Sequence, residues 1–157
     1  MNFEAEQREF NYKQTNTGSI DKVFPLLCPV REKDWIDGWD YKMIYSMSGL
    51  IELGCVFSTP HHGAGETIWY VSKYDTVNYE IEFIRLTPNE NVVRIYIQLL
   101  SIDNNTTESN ITYQYTGLNE QQNEWIRNEL ELEFSKSMHY WESAINHYLN
   151  TGEKLLK

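Results

Sequence analysis

The C-terminal part of the chain most constrains the fold. No glycine or proline interrupts the sequence between Asn119 and Gly152, and Asn119 is a good N-cap with Gln122 three residues later. Apolar side chains recur there at three- and four-residue spacing, which predicts one continuous helix with a broad apolar stripe. The stripe contains Ile126, Leu130, Phe134, Met138, Trp141, Ile145, Tyr148 and Leu149. A helix of about thirty residues is roughly 45 Å long, so the rest of the chain must supply a surface that curls along it.

The segment from 40 to 117 supplies that surface, because its side chains alternate with a period of two. We predict six strands, at 40–47, 50–58, 66–75, 78–86, 92–102 and 108–116. The connections are short, so successive strands form hairpins in an antiparallel meander. A strand at 4–15 precedes them, followed by two short helices, one capped by Ser19 and one from Val30 to Ile36. The predicted class is α+β, a curved antiparallel sheet of about seven strands around a long C-terminal helix.

The expected pairing of the strands gives one largely apolar face. It assumes a turn centred on Thr76 and Val77, a five-residue turn at 87–91 and an asparagine-rich turn after that. The resulting pairs are Tyr70–Phe83, Phe83–Ile95, Ile81–Ile97, Leu99–Ile111, Ile97–Tyr113 and Ile95–Tyr115. The same alternation assigns Trp69, Val71 and Ile84 to the outer face.

The length and the net charge of the chain limit the classes of partner that we expect. The chain has 157 residues, enough for a single domain with a real core, and a formal net charge of −10. Such a charge repels nucleic acid and anionic membrane surfaces, so neither is an expected partner. No apolar stretch approaches the length of about 20 residues that a spanning helix needs, which argues against stable membrane insertion.

The cysteines and the N-terminus indicate a cytoplasmic location. Cys28 and Cys55 lie in apolar surroundings and are predicted to be buried free thiols. The segment from Met1 to Glu6 has neither the basic start nor the apolar run of a signal peptide.

The order of elements resembles the START/Bet v 1-like superfamily, also called SRPBCC or polyketide cyclase-like. The run from Val23 to Glu32, followed by Asp34-Trp35-Ile36 and Gly38-Trp39, looks like the helix-turn-helix of small prokaryotic members. Gly54-Cys55-Val56-Phe57 and Glu66-Thr67-Ile68-Trp69 are also similar. The resemblance covers about residues 5 to 150 and implies a helix-grip fold with a hydrophobic cavity between the sheet and the last helix. It does not imply one function, because the superfamily includes lipid carriers, hormone receptors, cyclases and chaperone activators.

The cavity wall is the first candidate site. Its predicted ligand-binding residues are Tyr70, Ile81, Phe83, Ile97, Tyr113 and Tyr115 from the sheet, Phe134, Met138, Trp141 and Ile145 from the helix, and Arg85 near a strand end as an anchor for an anionic head group. The alternative is a filled core built from the same residues, with Arg85 exposed or ion-paired.

The segment after the first helix is the second candidate. Trp35 and Trp39 would cover the cavity mouth, with Arg31 or Glu32 orienting a polar end of the ligand. The alternative is a structural corner whose tryptophans plug the end of the sheet.

Metal and covalent chemistry have weak support. His61 and His62 near Glu66 lack the spacing that places two histidines on one metal, so no metal or cofactor is expected. Cys28 has no histidine that the sequence places beside it, which disfavours a nucleophilic role.

Three functions remain as hypotheses. The first is binding or transport of a hydrophobic small molecule or lipid. The second is a cyclase, dehydratase or hydrolase acting on an aromatic or polyketide-like substrate in the same cavity, which requires an acid–base group on its wall. The third is a protein-interaction module or homodimer that uses Trp125 and Leu132, which lie opposite the apolar stripe.

Overall fold

The structure is a computed structural model that describes residues 2–61 and 65–157. Its strands are β1 (Gln7–Asn16), β2 (Lys42–Tyr45), β3 (Val56–Pro60), β4 (Glu66–Asp75), β5 (Glu80–Thr87), β6 (Asn91–Asp103) and β7 (Thr106–Gly117). Its helices are α1 (Ile20–Val23), a 3-10 helix (Phe24–Leu27), α2 (Pro29–Trp35), α3 (Glu120–Asn128) and α4 (Leu130–Thr151). This order confirms the predicted α+β class and the short helices after the first strand.

The described strands form one curved antiparallel sheet in the order β1-β7-β6-β5-β4-β3-β2. Every strand from β2 to β7 pairs with its sequence neighbour, which confirms the predicted meander. The strand predicted at 50–58 begins only at Val56. A turn delays it, because Gly54 adopts a φ of +83° and the Cys55 N–H donates to the Glu52 carbonyl at 3.1 Å.

The register between β5 and β6 is as predicted, with Phe83 opposite Ile95 and Ile81 opposite Ile97. The β6–β7 register differs from the prediction by two residues, because Ile97 lies opposite Ile111. The hairpin turns tightly between β6 and β7, and the ladder is irregular near the end of β6. A shift of two residues keeps every side chain on its predicted face, so the inner surface remains apolar.

The predicted side-chain orientation in β4 is wrong before Ser72. Trp69 and Val71 face inward and Tyr70 faces outward with 47% of its surface exposed. The pairing with β5 shifts between Val71 and Lys73, where β4 carries a bulge. The bulge adds one residue to β4 and so reverses the inward–outward alternation of the side chains that precede it. Counting back from the turn at Thr76 and Val77 therefore assigned those side chains to the wrong face of the sheet.

The C-terminal helical region is not one continuous helix. Asn119 accepts a hydrogen bond from the Gln122 N–H, which confirms the cap, but α3 and α4 are separated at Glu129. Glu129 has φ −124° and ψ −29°, outside the helical range. The break allows α3 to pack on β7 while α4 contacts β1 and α2. The helix ends at Gly152, in the left-handed conformation, as predicted.

The short N-terminal helices close one end of the sheet. Pro29 occupies the first turn of α2, where its missing N–H costs no helical hydrogen bond. Trp35, at the end of α2, is fully buried, and its indole N–H donates to the Leu26 carbonyl at 2.9 Å.

Cys28 and Cys55 are free and buried, as predicted. In the part of the chain that the structure describes, no helix has the length and apolar character needed to cross a membrane.

Candidate functional site

A cavity of about 300 Å³ lies between the inner face of the sheet and α4, with α2 at its side. Strands β5 and β6 position its apolar floor because inward residues alternate along them, and α4 supplies the opposite wall at helical spacing. Its apolar lining includes Trp69, Phe83, Ile95, Ile97, Met138 and Trp141. The volume lies at the lower end of the range for ligand pockets.

An aromatic group centred on Trp69 forms one end of the cavity. The Trp69 ring stacks on Phe57 with centroids 5.3 Å apart, and Phe83 meets it edge-on at 5.8 Å. Trp39 approaches from beyond α2 at 6.2 Å, also edge-on, and its indole N–H is held by the Pro29 carbonyl at 2.9 Å. These contacts hold Trp69, Phe83 and Trp39 on the cavity wall, where their remaining surface can contact an apolar molecule.

Arg85 brings a positive charge to this apolar wall. Its guanidinium lies 5.3 Å from the centroid of the Trp69 ring, 5.9 Å from that of Tyr113 and 5.8 Å from that of Tyr115. Its Nη2 donates to the Tyr115 hydroxyl at 3.2 Å. Burial raises the pKa of the Tyr113 hydroxyl well above its ordinary value, and the Arg85 charge opposes part of that rise. The Tyr113 hydroxyl therefore stays protonated beside the cation.

Glu32 brings a carboxyl group to the same cavity from α2. It is half-buried, and its burial raises its pKa to about 8. No described side chain compensates with an ion pair or hydrogen bond to this carboxyl. At neutral pH Glu32 is therefore mainly protonated, and its hydroxyl can donate a hydrogen bond into the cavity.

A second cavity of about 230 Å³ lies beyond Arg85 and Tyr113, toward α3. Both cavities are lined by Arg85, Tyr113, Ser137 and Met138, so these side chains stand between them. Trp125 lines the second cavity and meets Tyr115 edge-on at 6.1 Å. Trp125 therefore packs against the sheet, although helical spacing predicted that it lies opposite the apolar stripe.

A larger concavity of about 550 Å³ lies on the outside of α3. Its walls are mainly carboxyl and amide groups, from Glu90, Gln121, Gln122, Glu124 and Asn128. Such a surface gains little from burying an apolar ligand, so the inner cavity is the better candidate.

The structure brings most of the candidate residues together. Phe83, Arg85, Ile97, Tyr113, Met138 and Trp141 line the main cavity with Glu32 and Trp39, while Tyr115 and Phe134 line the second one. Ile81 and Ile145 are buried in the core, outside both linings.

Three further candidates lie outside both cavities. Tyr70 is on the outer face because of the β4 bulge. Trp35 is buried beneath the cavity wall with its ring edge-on to Trp141 at 5.0 Å, so it supports the wall and does not cover the mouth. Arg31 forms a surface ion pair with Asp34 at 3.1 Å.

Several lining residues were not among the candidates. Ile95 was assigned to the inner face by its register, and Ser137 precedes Trp141 by one helical turn, so both carried a usable signal. Trp69 was not a candidate, because the bulge in β4 reverses the alternation that had assigned it to the outer face. Lys157 reaches the cavity because its backbone N–H donates to the Asp37 carboxylate at 3.0 Å, a tertiary contact without a local sequence signal.

The histidine loop shows no metal site in its described part. His61 Nε2 lies 2.9 Å from the Glu90 carboxylate, and His62 lies outside the described residues. Among residues 2–61 and 65–157 no group of three histidine, cysteine or acidic side chains is arranged to hold a metal.

Comparisons with known proteins identify the fold. No protein-family profile and no curated protein sequence matches the chain. Among solved structures, Ara h 8.0201 superposes with a TM-score of 0.68 at 12% identity, covering 93% of this chain and 99% of that one. The Zhui aromatase/cyclase from Streptomyces sp. R1128 gives 0.67 at 10% identity, covering 96% and 100%.

Norcoclaurine synthase from Thalictrum flavum, in complex with dopamine and hydroxybenzaldehyde, gives a TM-score of 0.65 at 9% identity, covering 92% of this chain and 87% of that one. These proteins share the Bet v 1-like fold of the SRPBCC superfamily. The present chain has that helix-grip fold. At such low identities the likeness extends to the fold alone.

Proposed function

We propose that the protein binds or carries a small, largely apolar organic molecule in the cavity between the sheet and α4. The observation that carries this proposal is the apolar cavity of about 300 Å³ enclosed by fixed aromatic rings. Its volume equals that of about ten water molecules in the liquid. One or two aromatic rings match that space better than a long acyl chain does.

A blocking variant tests the proposal. Ser137 lies on α4 at the border of both cavities and is exposed, so Ser137→Trp should place an indole across the cavity without entering the core. Ser143→Trp makes the same change at an exposed position of α4 outside both linings. The uncharged fluorescent probe N-phenyl-1-naphthylamine should bind the wild type and Ser143→Trp, and bind Ser137→Trp at least about tenfold more weakly.

The proposal fails if the wild type does not bind this probe and carries no co-purified organic molecule in native mass spectrometry. It also fails if Ser137→Trp, shown to be folded by its melting temperature, binds the probe as tightly as Ser143→Trp does.

An enzymatic role is the second candidate, favoured by Glu32. A carboxyl group with a pKa near 8 on a cavity wall is suited to general acid–base catalysis near neutral pH. The Tyr113 hydroxyl and the Arg85 guanidinium lie on the same wall, where they can stabilise an enolate or phenolate oxygen. The proposed reaction class is a cyclase, dehydratase or hydrolase reaction on a small aromatic or polyketide-like substrate.

Hydrogen–deuterium exchange tests that candidate. A small aromatic β-diketone that binds the cavity should exchange its acidic C–H protons faster with the wild type than with Glu32→Gln, as followed by NMR. Equal rates at saturating protein would remove Glu32 as the acid–base group.

An interaction role remains a third proposal. Leu132 is 61% exposed, while Trp125 packs on Tyr115, so replacing Trp125 would disturb the fold. Leu132→Ser alone is therefore the cleaner test of a homodimer, measured by sedimentation. Cytoplasmic location is also proposed, and fractionation of cells tests it.

A further inference from the structure

Among the residues that the structure describes, Arg85 is the one arginine without a carboxylate partner. Each of the other four arginines lies within 3.3 Å of an Asp or Glu oxygen, as in the pair of Arg94 with Glu82 at 2.7 Å. Acidic residues outnumber basic ones by 23 to 13, so partners are abundant. Within the described chain, the one arginine that faces the cavity is the one left without a counter-charge.

The surroundings of Arg85 leave most of its hydrogen-bonding capacity unused. The guanidinium has five N–H donors in a planar fork, and among the described side chains it donates to one partner, the Tyr115 hydroxyl, at 3.2 Å. The three aromatic rings around it attract the cation through their faces but accept no conventional hydrogen bond. A half-buried guanidinium attracts an anion more strongly than a fully exposed one does, because water screens it less.

We propose that the bound molecule is a carboxylic acid whose carboxylate is held by the fork of Arg85, with its apolar body among Trp69, Phe83 and Met138. This inference rests on the proposed function, since it assigns the polar end of a ligand that occupies the same cavity. Arginine and carboxylate form two parallel hydrogen bonds, which fix orientation as well as supplying affinity. The Tyr115 hydroxyl, already bound to Nη2, holds the fork in place.

The other charged groups on the cavity wall are consistent with this assignment. They are Glu32 and Lys157. Glu32 is mainly protonated at neutral pH, so it does not repel a carboxylate in the same space. Lys157 is exposed, and its Nζ lies 5.0 Å from the centroid of the Tyr140 ring. Because it is a second cation beside the cavity, a binding experiment must distinguish its effect on an anionic ligand from that of Arg85.

A matched pair of ligands tests the inference on the unmodified protein. The acid 2-naphthoate and its uncharged counterpart 2-naphthamide have nearly the same shape, and their dissociation constants can be measured by calorimetry at pH 7. The acid should bind at least about tenfold more tightly. Arg85→Gln should still bind the amide but lose the preference for the acid, whereas Arg94→Gln and Lys157→Gln should keep that preference.

The outcomes separate the two proposals. If N-phenyl-1-naphthylamine binds the cavity but the amide binds as tightly as the acid, the carboxylate inference is overturned and the proposed function stands. If Lys157→Gln removes the preference and Arg85→Gln does not, the assignment to Arg85 is overturned. If none of the three probes binds and no organic molecule co-purifies with the protein, both proposals fall.

Discussion

Trp35 and Trp141 meet edge-on with ring centroids 5.0 Å apart and planes inclined at 63°, yet only Trp35 is fully buried. Trp35 extends from α2 and is anchored by the Leu26 carbonyl, whereas Trp141 extends from α4 and lines the cavity. The pair therefore joins the two helices while presenting one ring to the ligand space.

This relationship predicts unequal costs for two identical truncations. Trp35→Ala removes a packed ring and leaves the Leu26 carbonyl without its donor, so we expect the free energy of unfolding to fall by about 3–5 kcal/mol. Trp141→Ala should cost clearly less than about 3 kcal/mol, because its ring already borders open space. Urea denaturation measures both. Equal costs would mean that the Trp141 ring is packed as in a solid core.

Glu32 should make stability fall as pH rises. The unfolded chain releases this proton near the ordinary pKa of 4.5, whereas the folded protein keeps it until about 8. Between these values the folded state binds more protons, so the free energy of unfolding decreases with pH, by at most about 1.4 kcal/mol per pH unit from this group. Urea denaturation from pH 5 to 9 should show a smaller decrease for Glu32→Gln than for the wild type.

The matched control for that series is Glu124→Gln, at an exposed position of α3. Its curve should run parallel to that of the wild type. If the curve of Glu32→Gln is also parallel, the pKa of Glu32 is not raised.

Asn123 ties α3 to the start of the chain and should be sensitive to truncation. Its Oδ1 accepts from the Glu6 N–H at 2.8 Å, and its Nδ2 donates to the Glu4 carbonyl at 2.9 Å. Because the side chain is buried, we expect Asn123→Ala to lower the free energy of unfolding by about 1–3 kcal/mol. Asn128→Ala, at an exposed site of the same helix, should change it by less than about 0.5 kcal/mol. Similar losses in both variants would show that the loss does not come from this anchor, because the change from Asn to Ala by itself favours the helix.

Both thiols should be unreactive in the folded protein. Cys28 and Cys55 are buried, and burial raises the pKa of the Cys55 thiol, which lowers its thiolate population further. Ellman's reagent should detect neither thiol in native buffer and both in denaturant. Rapid reaction of one thiol without denaturant would reveal local opening around that cysteine.

Much of the fold follows from periodicity. The inward positions of β5 and β6 alternate without interruption, so Phe83 and Ile95 could be paired by counting from their turn. Met138 and Trp141 could be placed on the cavity side by helical spacing. Both patterns are local. A shift of two residues in strand register leaves the strand side chains on the same face of the sheet, so the prediction of the inner face stays correct.

The features that could not be predicted from the sequence are irregularities within a strand or helix, or contacts between distant parts of the chain. The bulge that turns Trp69 inward lies in Val71-Ser72-Lys73, which carries no glycine or proline to mark it. The break at Glu129 is also formed by an ordinary helix-compatible residue. The lack of a counter-charge on Arg85 is a property of its three-dimensional surroundings, which no local pattern encodes.

The location of the bound molecule is the most direct test of the proposed function. Methyl-labelled isoleucine and methionine NMR can be recorded while N-phenyl-1-naphthylamine is added, since aromatic rings shift nearby methyl resonances. We expect large shifts for Ile95, Ile97 and Met138, and small shifts for Ile126, which is buried away from the cavity, and for the exposed Met47. Shifts concentrated at Met47, or absent from the three cavity methyls at saturation, would contradict binding between the sheet and α4.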